Sequence, residues 1–175
     1  MSGQSIVVVV GNPQPKSRTL GVASLVAGRL GRWSGIDAEP VVIDLGDVGP
    51  GLLVWGDPGV AELTATVKAA GALVVASPTY KASFTGLLKI FLDQFDKDVL
   101  GGVPTVAIMT GGNLAHTLAV EMHLKPVLSE IGASLPTAGL FVAGPQIDDP
   151  EPLLDSWSVL AEPILRRTFG TASVA

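Results

Sequence analysis

Residues 77–93 read SPTYKASFTGLLKIFLD, and this segment joins the end of a predicted strand to a predicted helix. The five residues before it, ALVVA at 72–76, are all apolar, as is typical of a strand covered on both faces of a parallel sheet. Pro78 ends the strand because proline has no backbone N–H. The polar loop at 78–83 therefore lies at the carboxyl end of a strand, where open α/β sheets bind ligands. An ordinary connection between a strand and a helix is the alternative.

Strand-like and helix-like patterns alternate along the rest of the chain. We predict strands at 5–10, 40–44, 72–77, 104–110 and 135–142, and helices at 19–33, 60–70, 84–95, 115–131 and 152–169. This strict alternation predicts a parallel sheet with right-handed crossovers and helices on both faces. The expected fold is therefore α/β: a flavodoxin-like three-layer α/β/α sandwich whose five-stranded parallel sheet has the order 2-1-3-4-5. We expect one domain over residues 1–175, with 170–175 as a disordered tail.

One long irregular piece, residues 45–59, interrupts this alternation and carries LLVW between glycines and prolines. If its apolar residues are exposed, it is a lid or a subunit contact. A loop packed onto the core is the alternative. The pattern leaves both open.

Composition and charge exclude several functions. The net charge of −5 and the scattered Lys and Arg residues argue against nucleic-acid binding. The absence of cysteine excludes thiolate nucleophiles and iron–sulfur clusters, and two histidines without a spaced acidic cluster give few candidate metal ligands. The longest purely apolar run, residues 6–10, is too short to cross a bilayer, and the N-terminus lacks the pattern of a signal peptide. We therefore expect no metal, no membrane contact and a cytoplasmic protein whose redox chemistry would need an organic cofactor.

The loop after the first predicted strand, GNPQPKSRT at residues 11–19, resembles an anion site. Free N–H groups and the positive end of a helix dipole converge at such a position. A P-loop is excluded because it requires a glycine immediately before the lysine, where this chain has Pro15, and the spacing is one residue short. The alternative for Ser17 and Thr19 is helix capping alone.

A third loop follows the fourth predicted strand and contains Gly111 and Gly112. Paired glycines let a backbone approach a flat ligand closely, and N–H groups at a helix start stabilise negative charge, as a reduced flavin requires. His116 at the start of the next helix is either a flavin contact or an N-terminal helix residue that lies at an interface or is bonded to backbone. Together the three loops predict a site for a phosphate-bearing planar cofactor.

These motifs resemble those of the NAD(P)H-dependent FMN reductases of the flavodoxin-like superfamily. The match covers a first loop of the G-S-x-x-x-x-S-x-T kind, S-P-x-Y-x-x-S-x-x-G-x-L-K-x-x-L-D at 77–93, T-G-G-x-x-A-H at 110–116 and L-A-V-E-x-x-L-K-P-V-L at 118–128. The second and fourth motifs are the specific ones. The chain is most similar to the reductase components that supply reduced FMN to two-component alkanesulfonate monooxygenases.

The resemblance implies FMN and NAD(P)H as cofactors, with hydride transfer from NAD(P)H to FMN and no catalytic side chain. It assigns the first loop to the phosphate, the second to the ring and the glycine pair to the pyrimidine edge. Asn12 stands where a serine is usual, and Pro13 and Pro15 stiffen the loop. The predicted cofactor-binding residues are Asn12, Ser17, Arg18, Thr19, Pro78, Thr79, Tyr80, Lys81, Ser83, Gly111, Gly112 and His116.

The resemblance also implies a homodimer or homotetramer and a partner flavin-dependent monooxygenase. The predicted helices at 84–95 and 115–131 carry more apolar residues than one face buries, which agrees with a helix-on-helix contact between subunits. Flavin-supplying members of the family have a π-bulge in the second of these helices, at the place of Met122 or His123. A kink at Pro126 is the competing explanation for any distortion there.

Two other functions remain open from sequence. A quinone or azo reductase would hold FMN tightly, and a flavodoxin-like electron carrier would show no turnover. Carriers flank the ring with aromatic side chains and present a strongly acidic face, whereas this chain has one tyrosine and a diffuse charge. No residue that would read a 2′-phosphate is identifiable, so the sequence does not choose between NADH and NADPH.

Overall fold

Five parallel strands form one sheet in the order β2-β1-β3-β4-β5. The structure is a computed structural model, and it describes residues 5–172. The strands are β1 (Ile6–Val10), β2 (Val41–Asp44), β3 (Ala72–Pro78), β4 (Thr105–Gly111) and β5 (Leu140–Ala143). The helices are α1 (Arg18–Ser34), α2 (Leu45–Val48), α3 (Pro58–Lys68), α4 (Gly86–Leu92), α5 (Lys125–Glu130) and α6 (Glu151–Ala172). The predicted fold class and strand order are confirmed.

Both faces of the sheet are covered, which explains why its central strands β1, β3 and β4 are buried and mostly apolar. Val7 and Val9 of β1 point to one face and pack with residues of α3, α4 and α5. Ile6, Val8 and Val10 point to the other face and pack with α1 and α6. The alternation of side chains along a strand thus divides the core into two layers around one sheet.

Polar caps set the starts of three helices. Ser17, Asp57 and Thr85 each accept a hydrogen bond from a backbone N–H in the first turn of α1, α3 and α4, respectively. Such caps satisfy N–H groups that have no partner within the helix. Because Thr85 caps α4, this helix covers Gly86–Leu92 rather than the predicted 84–95.

The predicted helix at 115–131 is instead three shorter pieces. A 3-10 turn covers Leu114–His116, a π-helical turn covers Val120–Leu124, and α5 follows from Lys125. In the π-helical turn the Lys125 N–H donates to the carbonyl of Val120, five residues earlier. Of the two explanations left open for a distortion of this helix, the structure has the π-bulge, which contains Met122 and His123. Pro126 lies just beyond it in the first turn of α5.

A half-buried polar network ties the π-helical turn to the segment before β5. Glu121 accepts a hydrogen bond from the Gly139 N–H and pairs with Lys125 at 2.8 Å, while Lys125 donates to the carbonyl of Thr137 at 3.0 Å. Partial burial alone would raise the pKa of the Glu121 carboxyl, but the bonds from Lys125 and the Gly139 N–H bring that pKa below its ordinary value. β5 begins only at Leu140, later than the predicted start at 135.

The irregular segment at 45–59 contains α2 and a 3-10 turn over Gly49–Leu53. Leu45 and Leu52 are buried in the core, so part of the segment packs onto the domain as one alternative expected. Leu53, Val54 and Trp55 are exposed. The segment therefore combines a buried anchor with an exposed apolar tip.

The C-terminal helix α6 runs to Ala172, so 170–172 of the predicted disordered tail are helical, and 173–175 lie outside the described residues. Within residues 5–172 no helix is both long enough and apolar enough to cross a membrane.

α6 is anchored to α1 by the buried guanidinium of Arg29, which lies 2.6 Å from Glu151 and 2.7 Å from Asp155. Burial alone would lower the pKa of Arg29, but the two carboxylates raise it above its ordinary value.

Candidate functional site

The loops that follow β1, β3, β4 and β5 surround one cleft at the carboxyl edge of the sheet. Its volume of about 770 Å³ is within the range of sites for small ligands and cofactors. The lining residues are Asn12, Gln14, Pro15, Lys16, Ser17, Arg18, Thr19, Pro78, Thr79, Tyr80, Thr110, Gly111, Gly112, Gly144, Pro145, Ile147 and Asp148. The parallel sheet brings these four loops together because all its strands end at the same edge.

Buried hydrogen bonds hold the first and third loops against each other. The hydroxyl groups of Thr19 and Thr110 are 2.9 Å apart, and the Asn12 side-chain amide donates to Thr19 Oγ1 at 3.3 Å. All three side chains are buried. Asn12 Oδ1 also accepts from the Gln14 N–H at 2.9 Å, which closes the turn of the first loop. Asn12, at the position where a serine is usual, therefore orders this corner of the cleft.

The N-terminus of α1 opens into the cleft. Ser17 Oγ accepts the Leu20 N–H at 3.3 Å and so caps the helix, as the alternative to phosphate binding expected. The N–H groups at the start of a helix have no partner within it, and the helix dipole adds partial positive charge there. Capping by Ser17 and attraction of an anion are therefore compatible at this position.

The second loop is a tight turn that is tied to the first. Tyr80 and Ser83 exchange backbone hydrogen bonds of 2.8 and 3.1 Å across the turn. The two central residues, Lys81 and Ala82, have φ values of 51° and 64°, as in a type I′ turn. This left-handed conformation costs energy for residues other than glycine, and such strain is concentrated at functional sites.

Thr85 connects this turn to the first loop. Its hydroxyl donates to the carbonyl of Gly11 and accepts the Leu88 N–H, and its own N–H donates to Ser77 Oγ at 3.0 Å. Gly11 approaches α4 so closely that an added Cβ would lie 2.4 Å from the Cβ of Leu88. The glycine is therefore required for packing of the loop on α4, independently of any ligand.

Thr79 contributes a polar atom with no partner. Its Oγ1 is buried and makes no hydrogen bond, whereas its N–H donates to the carbonyl of Thr110 at 2.7 Å. An unpaired buried hydroxyl is costly unless a ligand or water completes it. Beside it, Gly111 has no room for a side chain because an added Cβ would lie 2.7 Å from the ring of Phe141, whereas Gly112 faces open space.

Nine of the twelve predicted site residues line the cleft. Lys81, Ser83 and His116 do not belong to its lining. His116 lies in an adjacent surface groove with Leu118, Met122 and His123. The alternative interpretation of His116 as a residue at an interface agrees with this placement better than a direct contact in the main cleft. The nine that line it are Asn12, Ser17, Arg18, Thr19, Pro78, Thr79, Tyr80, Gly111 and Gly112.

The loop after β5 is the part of the cleft that sequence reasoning missed. It contributes Gly144, Pro145, Ile147 and Asp148. No motif marks these residues, but the position of β5 in a parallel sheet puts its carboxyl end at the same edge as the other loops. Asp148 lies near Arg18, with carboxylate oxygens 3.1 and 3.3 Å from a guanidinium nitrogen.

The charges that line the cleft are few. Lys16, Arg18 and Asp148 are its charged residues, and Tyr80 is its one aromatic residue. The Lys16 N–H donates to Asp44 Oδ2 at 2.8 Å, which fixes the backbone of the first loop. Among residues 5–172 there is no group of three or more side chains arranged to hold a metal ion. The polar side chains of the lining are therefore mostly uncharged hydroxyl and amide groups.

Known proteins are similar to this chain in sequence and in fold. A family model described as NADPH-dependent FMN reductase matches residues 5–147. The chain is 33% identical over 147 residues to the FMN reductase (NADPH) of Escherichia coli (strain K12), over 82% of this chain and 75% of that protein. It is 34% identical over 143 residues to the NADH-dependent FMN reductase SfnF of Pseudomonas putida, over 79% of this chain and 76% of that protein.

Two solved structures are also similar to this chain in fold. The crystal structure of an NADH:FMN oxidoreductase (EMOB) in its apo form has a TM-score of 0.73 and 27% identity to this chain, and the match covers 94% of this chain and 89% of that one. An oxidoreductase from Corynebacterium diphtheriae has a TM-score of 0.71 and 26% identity, over 97% of this chain and 94% of that one. The resemblance predicted from the motifs is confirmed, and the chain belongs to the NADPH-dependent FMN reductase family.

Proposed function

We propose that this protein uses NAD(P)H to reduce FMN and then releases the reduced flavin. The observation that carries the proposal is that a helix N-terminus, an unpaired buried hydroxyl and a glycine pair meet in one cleft of suitable volume. Each of these features suits a different part of FMN. The family match and the names of the relatives support the same activity.

The first loop suits the phosphate. Free N–H groups at the start of α1, the hydroxyls of Ser17 and Thr19 and the guanidinium of Arg18 are the donors that phosphate prefers. Lys16 adds a second positive charge to the same lining. Because the Asn12, Thr19 and Thr110 side chains are hydrogen-bonded to one another, this corner is organised before a ligand arrives.

The second and third loops suit the ring. Thr79 Oγ1 offers a hydrogen bond that no protein group takes, and an isoalloxazine ring carries the polar atoms to complete it. Pro78 and Tyr80 supply apolar contact, and we assign the peptide groups of Gly111 and Gly112 to the pyrimidine edge. Negative charge on that edge is favoured by N–H groups that are already oriented.

The protein's part in the reaction is binding and orientation. Bound FMN supplies the acceptor for the hydride of NAD(P)H, so no catalytic side chain is needed. The titratable residues of the lining are Lys16, Arg18, Tyr80 and Asp148, and the one carboxylate among them, Asp148, is paired with Arg18. The rate then depends on how the cleft holds the two reactants relative to each other.

The composition of the cleft favours FMN as a releasable substrate over FMN as a tightly held group. Tyr80 is the only aromatic residue in the lining and is half exposed, so the ring gains little stacking energy. A tightly binding quinone or azo reductase, or an electron carrier, would require more contact than this lining offers. The same argument predicts that reduced FMN leaves the cleft.

We further propose that the protein acts in the cytoplasm as a homodimer or homotetramer and supplies a partner flavin-dependent monooxygenase. Support for self-association comes from the exposed side chains of Leu114, Leu118 and Met122, which line one surface groove along the 3-10 turn, the π-helical turn and the residues between them. The apolar residues of α4 contribute less than predicted, because Leu88 and Phe91 are fully buried within the chain itself. Light scattering at micromolar concentration tests this point, and a monomer would contradict it.

The test of the activity is NAD(P)H oxidation measured with and without added FMN, using NADH and NADPH in parallel. We expect oxidation to rise with FMN and to saturate. Under anaerobic conditions, ultrafiltration should recover reduced FMN free of protein. Oxidation that is independent of added FMN would contradict the proposal. So would a protein that stays yellow after dialysis and reduces quinones faster than flavin.

A further inference from the structure

An exposed ion pair lies across one side of the cleft. Arg18 begins α1, and Asp148 follows the 3-10 turn Gly144–Ile147 after β5. A guanidinium nitrogen of Arg18 is 3.1 and 3.3 Å from the two carboxylate oxygens, and both side chains are about two-thirds exposed. Both residues line the cleft, and Asp148 is the only acidic residue in that lining.

The pair is not needed to hold α1 near α6. Arg29 already joins these helices through Glu151 and Asp155, at 2.6 and 2.7 Å, and its side chain is only 8% exposed. Exposed pairs such as Arg18 with Asp148 contribute little to folding stability, because water screens the charges and the side chains lose freedom. A carboxylate beside a cleft that suits an anion is therefore better explained by an effect on the ligand.

We propose that Asp148 sets the affinity for the flavin phosphate by competing with it for Arg18. This inference rests on the proposed function, since it requires FMN in this cleft. The phosphate takes the guanidinium from Asp148 on binding, and the pair forms again when the flavin leaves. Asp148 thereby weakens binding of the phosphate end, as suits a protein that gives up its reduced product.

The expected change in FMN affinity follows from the strength of exposed ion pairs. Breaking such a pair reduces ligand affinity by about two- to fivefold, so removing its acid should restore that factor. Asp148→Asn keeps the shape of the side chain and removes its charge. Asp149→Asn is the matched control, because Asp149 is also exposed but lies outside the lining of the cleft.

The experiment is a fluorescence titration of the full chain with FMN and, separately, with riboflavin, which lacks the phosphate. Asp148→Asn should lower the Kd for FMN about two- to fivefold and leave the Kd for riboflavin unchanged, and Asp149→Asn should have less than half that effect. In an Arg18→Ala background, Asp148→Asn should lose its effect. This last variant separates competition for Arg18 from simple repulsion between Asp148 and the phosphate.

Three results would overturn the inference: no change in the Kd for FMN, an equal change for riboflavin, or an effect that persists without Arg18. These results are distinct from failure of the proposed function, which would appear as no binding of FMN by the unsubstituted chain. A urea unfolding curve recorded for each variant tests whether its fold is intact.

Discussion

Replacement of Thr85 by valine tests the link between the two loops that form the cleft. Thr85 is buried, its hydroxyl donates to the carbonyl of Gly11, and the same oxygen accepts the Leu88 N–H at 3.1 Å. Valine has nearly the same shape but has no hydroxyl, so it can neither donate to the Gly11 carbonyl nor accept the Leu88 N–H. Thr85→Val therefore removes the cap of α4 and leaves a buried carbonyl of the first loop without its donor.

The expected decrease in the free energy of unfolding follows from these two contacts. Loss of an N-cap costs about 1 kcal/mol, and an unpaired buried backbone group costs about 1–3 kcal/mol. Together they predict a decrease of about 2–4 kcal/mol in the free energy of unfolding, a large part of the roughly 5–15 kcal/mol typical of a domain. With a urea m-value of about 2 kcal/mol/M, the unfolding midpoint should fall by about 1–2 M.

Urea denaturation followed by circular dichroism measures this change. Thr85→Ser is the matched control: it keeps the hydroxyl and loses one methyl, which should cost about 1 kcal/mol or less. FMN affinity should fall in Thr85→Val and not in Thr85→Ser, because the bond to Gly11 positions the first loop. The reasoning is refuted if serine destabilises as much as valine, or if valine leaves the midpoint unchanged.

Three other substitutions have defined outcomes. Gly11→Ala should destabilise by about 1–3 kcal/mol in urea, since its Cβ would lie 2.4 Å from the Cβ of Leu88. Thr19→Val removes a buried hydroxyl that is 2.9 Å from its partner on β4, and it should cost about 1–3 kcal/mol and weaken FMN binding in a fluorescence titration. Glu121 has a lowered pKa, so its charged form stabilises the fold above the ordinary value of 4.5, and this stability is lost as the pH falls below it. Acid unfolding curves should show less pH dependence in Glu121→Gln.

Each of these changes has a control outside the core, at an exposed position for Gly21 and Glu62 and at a partly buried position for Thr66. Gly21→Ala adds the same methyl where nothing lies within 4 Å, and within a helix it should be neutral or stabilising by up to about 1 kcal/mol. Thr66→Val removes a hydroxyl whose partner is the carbonyl of Glu62 in its own helix, and Glu62→Gln neutralises an exposed carboxylate. If a variant and its control shift by equal amounts, the contact named for that variant does not account for its effect.

The sheet could be predicted from sequence because its strands are short apolar runs between loops of glycine and proline. The ends of the helices were harder to predict from sequence. The true start of α3 lies at Asp57 and Pro58, a capping residue followed by a proline, a signal that apolar periodicity alone ignores. The π-helical turn was anticipated only through the family, since a hydrogen bond from Lys125 to the carbonyl of Val120 leaves no mark in the apolar pattern.

The site was predicted where a loop has a motif and missed where it has none. Residues 11–19, 78–80 and 111–112 follow buried strands and carry recognisable polar or glycine patterns. The loop after β5 has no such pattern, and the pairing of Asp148 with Arg18 depends on tertiary structure across 130 residues. The same holds for the unpaired hydroxyl of Thr79, whose burial cannot be read from its neighbours in sequence.

The most direct test of the central claim is a crystal structure of this protein with FMN bound. We predict the phosphate within hydrogen-bond distance of Ser17, Arg18 and Thr19, with the ring between the loops at 78–80 and 111–112. Flavin bound elsewhere, for example in the groove beside His116, would contradict this. So would flavin in the cleft with its phosphate directed away from the start of α1.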